Sequence, residues 1–184
     1  MTFTPRLTST GMQDNPWWYS NGNVYYQSGY GLPNCTCYAY GRWGEIRNAF
    51  NPDLSGDYHG DAKYFWTRSP NLQKGQVPQL GAVACYGTYD DNYGGHVSVV
   101  EEIDETNGSI TTSNSAYNGA YFWTDTCFVS DNYLPAWCQP SSPSYSRPYY
   151  FQGFIYLDGY VPPTPPPSHR RKSKWWMYLR YYPW

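Results

Sequence analysis

Residues 34–42 read NCTCYAYGR, and this stretch places a thiol at the start of a predicted helix. Its first residue, an asparagine, is a preferred N-cap, and Tyr38, Arg42 and Ile46 follow at helical spacing. We therefore predict a helix over residues 35–50. The dipole of such a helix favours a thiolate at its N-terminus, which predicts a lowered pKa for the cysteine there. A small buried core residue is the alternative role for that cysteine.

The pattern after this helix changes from helical to strand-like. A second short helix is predicted over residues 61–68, ended by Pro70. Strands are predicted over residues 81–86, 96–103, 109–113 and 151–157. No element is assigned to residues 118–150. Helices followed by an antiparallel sheet are typical of an α+β domain.

One histidine is placed to act as the base for this thiol. His96 opens a predicted strand and follows Gly94-Gly95, a pair that allows close approach of the backbone. A cysteine at a helix start and a histidine at a strand start suit a nucleophile and base that folding brings together, Cys35 and His96. Asn114, at the end of the next strand, is the candidate third group that orients the imidazole.

Four motifs, in this order, resemble those of the CHAP (cysteine, histidine-dependent amidohydrolase/peptidase) family. They are Cys35-Thr36-x-Tyr38-Ala39-x-x-Arg42, Pro78-x-x-Gly81-Ala82-Val83, Gly95-His96-Val97-x-x-Val100-Glu101 and Ile110-x-x-Ser113-Asn114-x-x-Tyr117-Asn118-Gly119. The resemblance covers residues 15–157 and implies a papain-like domain with N-terminal helices packed on an antiparallel β-sheet. It further implies hydrolysis of an amide bond in bacterial peptidoglycan, as N-acetylmuramoyl-L-alanine amidase or peptide endopeptidase, and the role of a phage endolysin.

The resemblance also implies a mechanism and shows two departures from the family pattern. Cys35 attacks the scissile carbonyl, His96 protonates the leaving amine, and water then hydrolyses the thioester. The family often has Glu at the third position and Asn two residues later, where this chain has Asn114 and Ala116. A bulky residue usually stands at position 37, and we expect Cys37 to have a packing role.

The hairpin between the second and third predicted strands tests the role of Asn114. Asn107-Gly108 favours a two-residue turn, which would set Asn114 opposite Glu101 and on the face away from His96. A loop over residues 104–108 sets it opposite Ser98 instead, on the face of His96. We therefore predict that a wider loop or a bulge overrides the Asn-Gly signal. Cys35 and Asn114 are then expected on opposite sides of the imidazole ring.

Composition narrows the functional classes. The formal net charge of −2 gives no global electrostatic footprint for nucleic acid. The chain has 22 Tyr and 9 Trp, more than one small core holds, so many rings are expected on the surface, where they suit sugars, peptides or wall polymers. A non-catalytic cell-wall or glycan-binding module is therefore the alternative function. We expect a monomer that is made in the cytoplasm without a signal peptide and acts at the bacterial cell wall.

No cofactor is expected. Asp53, Asp57 and Asp61 invite a calcium site, but their spacing fits no known loop pattern, and solvated turn carboxylates are the preferred interpretation. Cys-x-Cys alone does not make a zinc site. The five cysteines are an odd number, and a Cys127–Cys138 bridge would be opposed by a reducing cytoplasm.

Three segments are predicted along the chain. Residues 1–160 form the catalytic domain, residues 161–167 a stiff proline-rich linker, and residues 168–184 a basic aromatic tail. The tail is interpreted as an anchor for an anionic wall polymer or membrane surface. A disordered solubilising end, or the stub of a longer protein, is the alternative.

Overall fold

The computed structural model describes residues 3–57, 59–138 and 149–157. The helices are α1 (Pro16–Tyr19), α2 (Val24–Gln27) and α3 (Cys35–Arg47), with 3-10 helices at Ala62–Tyr64, Val129–Asp131 and Ala136–Cys138. The strands are β1 (Lys74–Gly75), β2 (Val83–Thr88), β3 (His96–Asp104), β4 (Ser109–Asn114), β5 (Trp123–Phe128) and β6 (Tyr149–Ile155). They form one antiparallel sheet in the order β1-β6-β2-β3-β4-β5, with the helices mainly N-terminal to it. The predicted α+β architecture is confirmed.

Helix α3 begins where its N-cap predicts. The side chain of Asn34 accepts hydrogen bonds from the backbone N–H groups of Thr36 and Cys37 at 2.8 and 3.0 Å. This cap satisfies two of the donors that a helix N-terminus leaves open. The helix ends at Arg47, because Asn48 adopts a left-handed conformation with φ 54°. It is therefore three residues shorter than the predicted range.

The two faces of the sheet build two separate apolar layers. Val83, Cys85, Val97 and Val99 belong to the layer shared with α3. The residues that alternate with them face the other side, where the apolar layer contains Ala84, Tyr86, Val100, Ile110 and Phe154. Side chains of a strand alternate between the two faces of the sheet, and here an apolar layer covers each face. Strand β2 and the first half of β3 are therefore buried on both faces. Helix α3 is in turn covered by α1, where the indole of Trp18 donates to the carbonyl of Tyr38 at 3.0 Å.

A β-bulge in β3 sets the register of the hairpin with β4. Asp104 pairs with Ser109, but the register shifts between Val100 and Glu102. The connecting loop is thus wider than a two-residue turn and one residue shorter than the predicted 104–108 loop. The shift at the bulge makes up this difference, because the pair Val99 and Ser113 beyond it sets Asn114 opposite Ser98. The prediction that the Asn-Gly signal is overridden is confirmed.

Several sequence-based assignments differ from the structure. The helix predicted over residues 61–68 is wrong, since only the 3-10 helix Ala62–Tyr64 forms there. Strand β5 lies in the stretch that had no assignment.

All five cysteines are free, so Cys127 and Cys138 are not bridged. Within the described ranges no helix has both the length and the apolar character needed to cross a bilayer. The predicted linker (161–167) and tail (168–184) lie outside the described residues.

Candidate active site

Cys35 and His96 line the same open cleft, which has a volume of about 760 Å³. Its walls are the N-terminus of α3, the segments 59–62 and 92–95, and residues that follow β4. Gly95 allows two of these walls to meet. It has φ +74°, and a Cβ atom there would lie 2.6 Å from the backbone nitrogen of Lys63. The predicted close approach at Gly94-Gly95 is confirmed.

The ring of His96 is held by the side chain of Asn114. Its Nε2 lies 2.9 Å from Oδ1 of Asn114. The amide nitrogen of Asn114 donates to the carbonyl oxygen of Thr112 at 3.1 Å, and to the hydroxyl of the same residue at 3.2 Å. Because a carbonyl only accepts, this contact turns Oδ1 towards the imidazole. A neutral His96 therefore carries its hydrogen on Nε2 and its lone pair on Nδ1.

Aromatic rings surround the imidazole. Trp123 stacks on it with ring centroids 5.9 Å apart, and Trp137 meets it edge-on at 5.3 Å. Both indole N–H groups donate to the same carboxylate oxygen of Asp125, at 2.7 and 2.9 Å. These contacts leave His96 buried and limit its rotation. Sequence reasoning missed both tryptophans, because they lie in the stretch 118–150 that showed no usable periodicity.

Cys35 occupies the first position of α3 and is only 9% exposed. Burial raises the pKa of its thiol to about 11, and the charge of Asp61 acts in the same direction. The backbone N–H groups of Val97, Thr36 and Cys35 itself lower that pKa, but they do not outweigh burial. The predicted lowering of the pKa is therefore wrong for this protein. The interaction with Val97, which directly follows His96, places the sulfur beside the first residues of β3.

The second cysteine of the motif lies in the core. Cys37 is fully buried, and its sulfur lies 4.0 Å from the carbonyl oxygen of Trp18. Burial raises the pKa of its thiol to about 12. These features fit the packing role expected for Cys37.

A buried ion pair joins α3 to the sheet at the bulge. Both oxygens of Glu101, which is 0% exposed, accept hydrogen bonds from the guanidinium of Arg42, at 2.9 and 2.8 Å. The hydroxyl of Ser113 donates to the same carboxylate at 2.6 Å. Although burial lowers the pKa of Arg42, the hydrogen bonds and charge of Glu101 hold it above its ordinary value. The pair thus fixes the helix that carries Cys35 to the strand that ends at Asn114. Sequence reasoning quoted both charged residues in the motifs but did not pair them.

An N-terminal segment completes this network. The backbone N–H of Arg6 donates to Glu101 at 2.9 Å, and the carbonyl of Thr4 accepts from Arg42 at 2.7 Å. The guanidinium of Arg6 also lies over the ring of Trp18, 5.1 Å from its centroid. Residues 4–6 therefore add hydrogen bonds to a buried carboxylate and a buried guanidinium that already bind each other.

The cleft offers no metal centre in the part of the chain that the structure describes. No group of three or more His, Cys, Asp or Glu side chains there is placed to hold an ion. The arrangement is that of an α+β domain in which a thiol at a helix start and an imidazole held by an asparagine share one cleft.

Comparison with known proteins assigns this domain to a family. The model of the CHAP domain matches residues 24–116, which is half of the chain, and the chain belongs to the CHAP family. Membership implies a hydrolase of the amidase and peptidase type that acts on peptidoglycan. Neither a curated protein nor a solved structure matches the chain. The matched range contains Cys35, His96 and Asn114, but neither the N-terminal segment nor Trp123.

Proposed function

We propose that the protein is a cysteine-dependent peptidoglycan hydrolase in which Cys35 is the nucleophile, His96 the base and Asn114 the group that orients the imidazole. The hydrogen bond between His96 and Asn114 carries this proposal. It leaves the lone pair of a neutral imidazole on Nδ1, in the cleft that also contains the thiol.

The first step transfers a proton while the carbon–sulfur bond forms. Burial keeps Cys35 protonated at neutral pH, so Nδ1 of His96 takes the thiol proton as the sulfur attacks the amide carbonyl. The tetrahedral oxyanion is stabilised by the backbone N–H of Cys35, at the positive end of α3. The imidazolium keeps its Nε2 hydrogen bond to Asn114 throughout this step.

The second half of the cycle releases the two products. Nδ1 returns its proton to the leaving amine as the carbon–nitrogen bond breaks, which leaves a thioester on Cys35. A water molecule that gives a proton to His96 attacks this thioester, and the released thiolate recovers that proton. The products are an amine and a carboxylic acid.

Exposed tyrosines at the cleft give the substrate a surface to pack on. Tyr30 and Tyr117 both line the cleft, with exposures of 48% and 62%, and their ring centroids lie 6.4 Å apart. Flat amphipathic rings of this kind stack on sugars and peptides. The same surface would serve the alternative function, a glycan-binding module without catalysis.

Turbidity loss of purified cell walls separates the two functions. We expect Cys35→Ala to abolish lysis and Cys37→Ser to retain most of it, with circular dichroism as the control for folding. Equal losses from both variants in folded protein would contradict the assignment of the nucleophile. The new amino termini on digested walls then distinguish an N-acetylmuramoyl-L-alanine amidase from a peptide endopeptidase.

The biological setting is part of the same proposal. A monomeric phage endolysin that reaches the cell wall from the cytoplasm fits the hydrolase function, and residues 168–184 would anchor it to an anionic polymer or membrane surface. Deletion of residues 162–184 should then weaken wall binding, most strongly at low salt, and leave the turnover of soluble fragments unchanged. Unaltered binding at every salt concentration would contradict the anchor.

A further inference from the structure

Asp61 lies at the rim of the cleft, close to the residues of the proposed chemistry. It directly precedes the 3-10 helix Ala62–Tyr64 and lines the cleft together with Cys35 and His96. A Cβ atom on Gly94 would lie 3.4 Å from its Oδ1, so the carboxylate packs against the glycine two residues before His96.

The side chain of Asp61 is exposed, and no cation among the described residues pairs with its carboxylate. Its side chain makes no capping hydrogen bond to the 3-10 helix, and no ion pair in this part of the chain includes it. The ammonium group of Lys63, two residues on, is directed to Asp91, at 3.0 Å from its carbonyl oxygen and 3.6 Å from its carboxylate.

The remaining walls supply no Lys or Arg counterion among the described residues, and their basic groups are the imidazoles of His59 and His96. Among the described residues that line the cleft, Asp61 is the one carboxylate, and none is Lys or Arg. The cleft therefore presents a negative charge beside the nucleophile.

This charge disfavours ionisation of the Cys35 thiol when the cleft is empty. A carboxylate near a thiol disfavours the thiolate, and Asp61 contributes to the raised pKa of Cys35. A cationic group of the substrate that binds Asp61 would neutralise the carboxylate. Its effect on the pKa of Cys35 would then be removed when the thiol reacts. The same contact would give the substrate a charge-assisted hydrogen bond.

We propose that the Asp61 carboxylate binds a primary ammonium group of the substrate peptide, next to the bond that Cys35 attacks. This inference rests on the proposed function and specifies its substrate class, a peptide with a free amine close to the scissile amide. Two amines of a wall peptide have this chemistry: the side-chain amine of a diamino acid and a free amino terminus.

Binding to an inactive variant tests this contact without turnover. The protein is the full chain with Cys35→Ala, and the probes are soluble stem peptides of peptidoglycan, detached from the sugar so that the amino terminus is free, in four forms. In these forms both amines are free, the side-chain amine alone is acetylated, the terminal amine alone is acetylated, or both are acetylated. Each dissociation constant is measured again with Asp61→Asn added. Asp57→Asn is the matched control, because Asp57 is an exposed carboxylate four residues earlier that does not line the cleft.

We expect acetylation of one of the two amines to weaken binding by about tenfold, which corresponds to about 1.4 kcal/mol. Asp61→Asn should cause the same loss with the free amine and no further loss with the acetylated one, whereas Asp57→Asn should change neither. The amine whose acetylation matters identifies the source of the ammonium group. Equal binding of all four forms, an additive loss in Asp61→Asn, or no binding of any fragment would overturn the inference. Absence of turnover by the protein with Cys35 intact would instead overturn the proposed hydrolase function. The binding measurements would still test the contact between Asp61 and the ammonium group, because they do not depend on turnover.

Discussion

The Oδ1 atom of Asn114 lies 2.9 Å from Nε2 of His96, although the two residues are on neighbouring strands and separated by 18 positions. Regular pairing from the loop inwards does not produce this contact. The shift between Val100 and Glu102 changes which residues of β3 and β4 face each other. The bulge therefore brings Asn114 to the face of His96, and it also contains Glu101, the buried partner of Arg42.

Removal of the orienting amide should slow the chemical step more than it weakens binding. We expect Asn114→Ala to lower kcat by about 10- to 100-fold with a small change in KM, because the imidazole loses the contact that fixes its tautomer. Steady-state kinetics on soluble wall fragments measure both constants. Thr112→Val is the matched control, since the backbone carbonyl that holds the Asn114 amide remains. Equal losses of kcat in the two variants would argue against an orienting role.

The reaction of Cys35 with iodoacetamide reports its protonation state. We expect the alkylation rate of the free protein to rise about tenfold per pH unit from pH 7 to pH 9, because the thiolate reacts and burial raises the pKa of Cys35 to about 11. Mass spectrometry of quenched samples gives the rate at each pH. Cys85, which is fully buried, is the internal control and should react more slowly. A rate that is already constant between pH 6 and pH 8 would instead indicate a thiolate–imidazolium pair in the resting protein.

Buried thiols should make the fold sensitive to alkali. Burial raises the pKa of Cys35 to about 11 and those of Cys37 and Cys127 to about 12, whereas thiols of an unfolded chain ionise near pH 8.5. Above that pH the native state holds more protons than the unfolded state, so stability is fully present below about pH 8.5 and decreases as the pH rises. The expected loss is at most about 1.4 kcal/mol per thiol and pH unit. Urea unfolding with reductant at pH 7.5, 9 and 10 measures it, and equal midpoints at all three values would contradict the burial of these thiols.

We expect the buried ion pair between Arg42 and Glu101 to stabilise the fold as well as to position α3 against the sheet. Glu101→Gln leaves the partly exposed Glu45, 2.5 Å away, as the remaining counterion of Arg42 among the described residues, and it should destabilise the protein by about 3 kcal/mol. Glu102→Gln, a change at the exposed neighbour, should stay within about 0.5 kcal/mol of the unaltered protein. Chemical denaturation of both variants provides the comparison. A small effect at both positions would show that the ion pair contributes little to stability.

Local signals in the sequence were sufficient for α3 and for strands β2, β3, β4 and β6. The cap at Asn34 and the alternation in β3 depend on neighbouring residues. The irregular hairpin was predicted from face parity together with the requirement that Asn114 lie on the face of His96. The prediction for segment 61–68 was wrong: only one 3-10 turn forms there, and the carbonyl of Lys63, which a regular helix would use, accepts from the side chain of Gln152 at 3.2 Å. Aromatic residues such as Tyr64 and Trp66 also have only moderate helix propensity.

The chemistry of the site was less visible than its position. Strand β5 lies at an edge of the sheet with mostly exposed polar residues at its centre, so periodicity gave no strong signal for Trp123. The pKa of Cys35 depends on how completely α3 and β3 exclude water from the thiol. That quantity arises from packing across the whole domain, and a helix N-terminus identified in sequence cannot supply it.

The contacts of Thr4 and Arg6 with the buried ion pair affect how this domain can be recombined with others. A chimera that grafts only residues 24–116 would keep Cys35, His96 and Asn114. It would also remove the carbonyl that accepts from Arg42, the backbone N–H that reaches Glu101, and the ring of Trp18. A chimera that transfers this domain should therefore begin before residue 3. The unit that can be transferred between proteins is larger than the segment that defines the family.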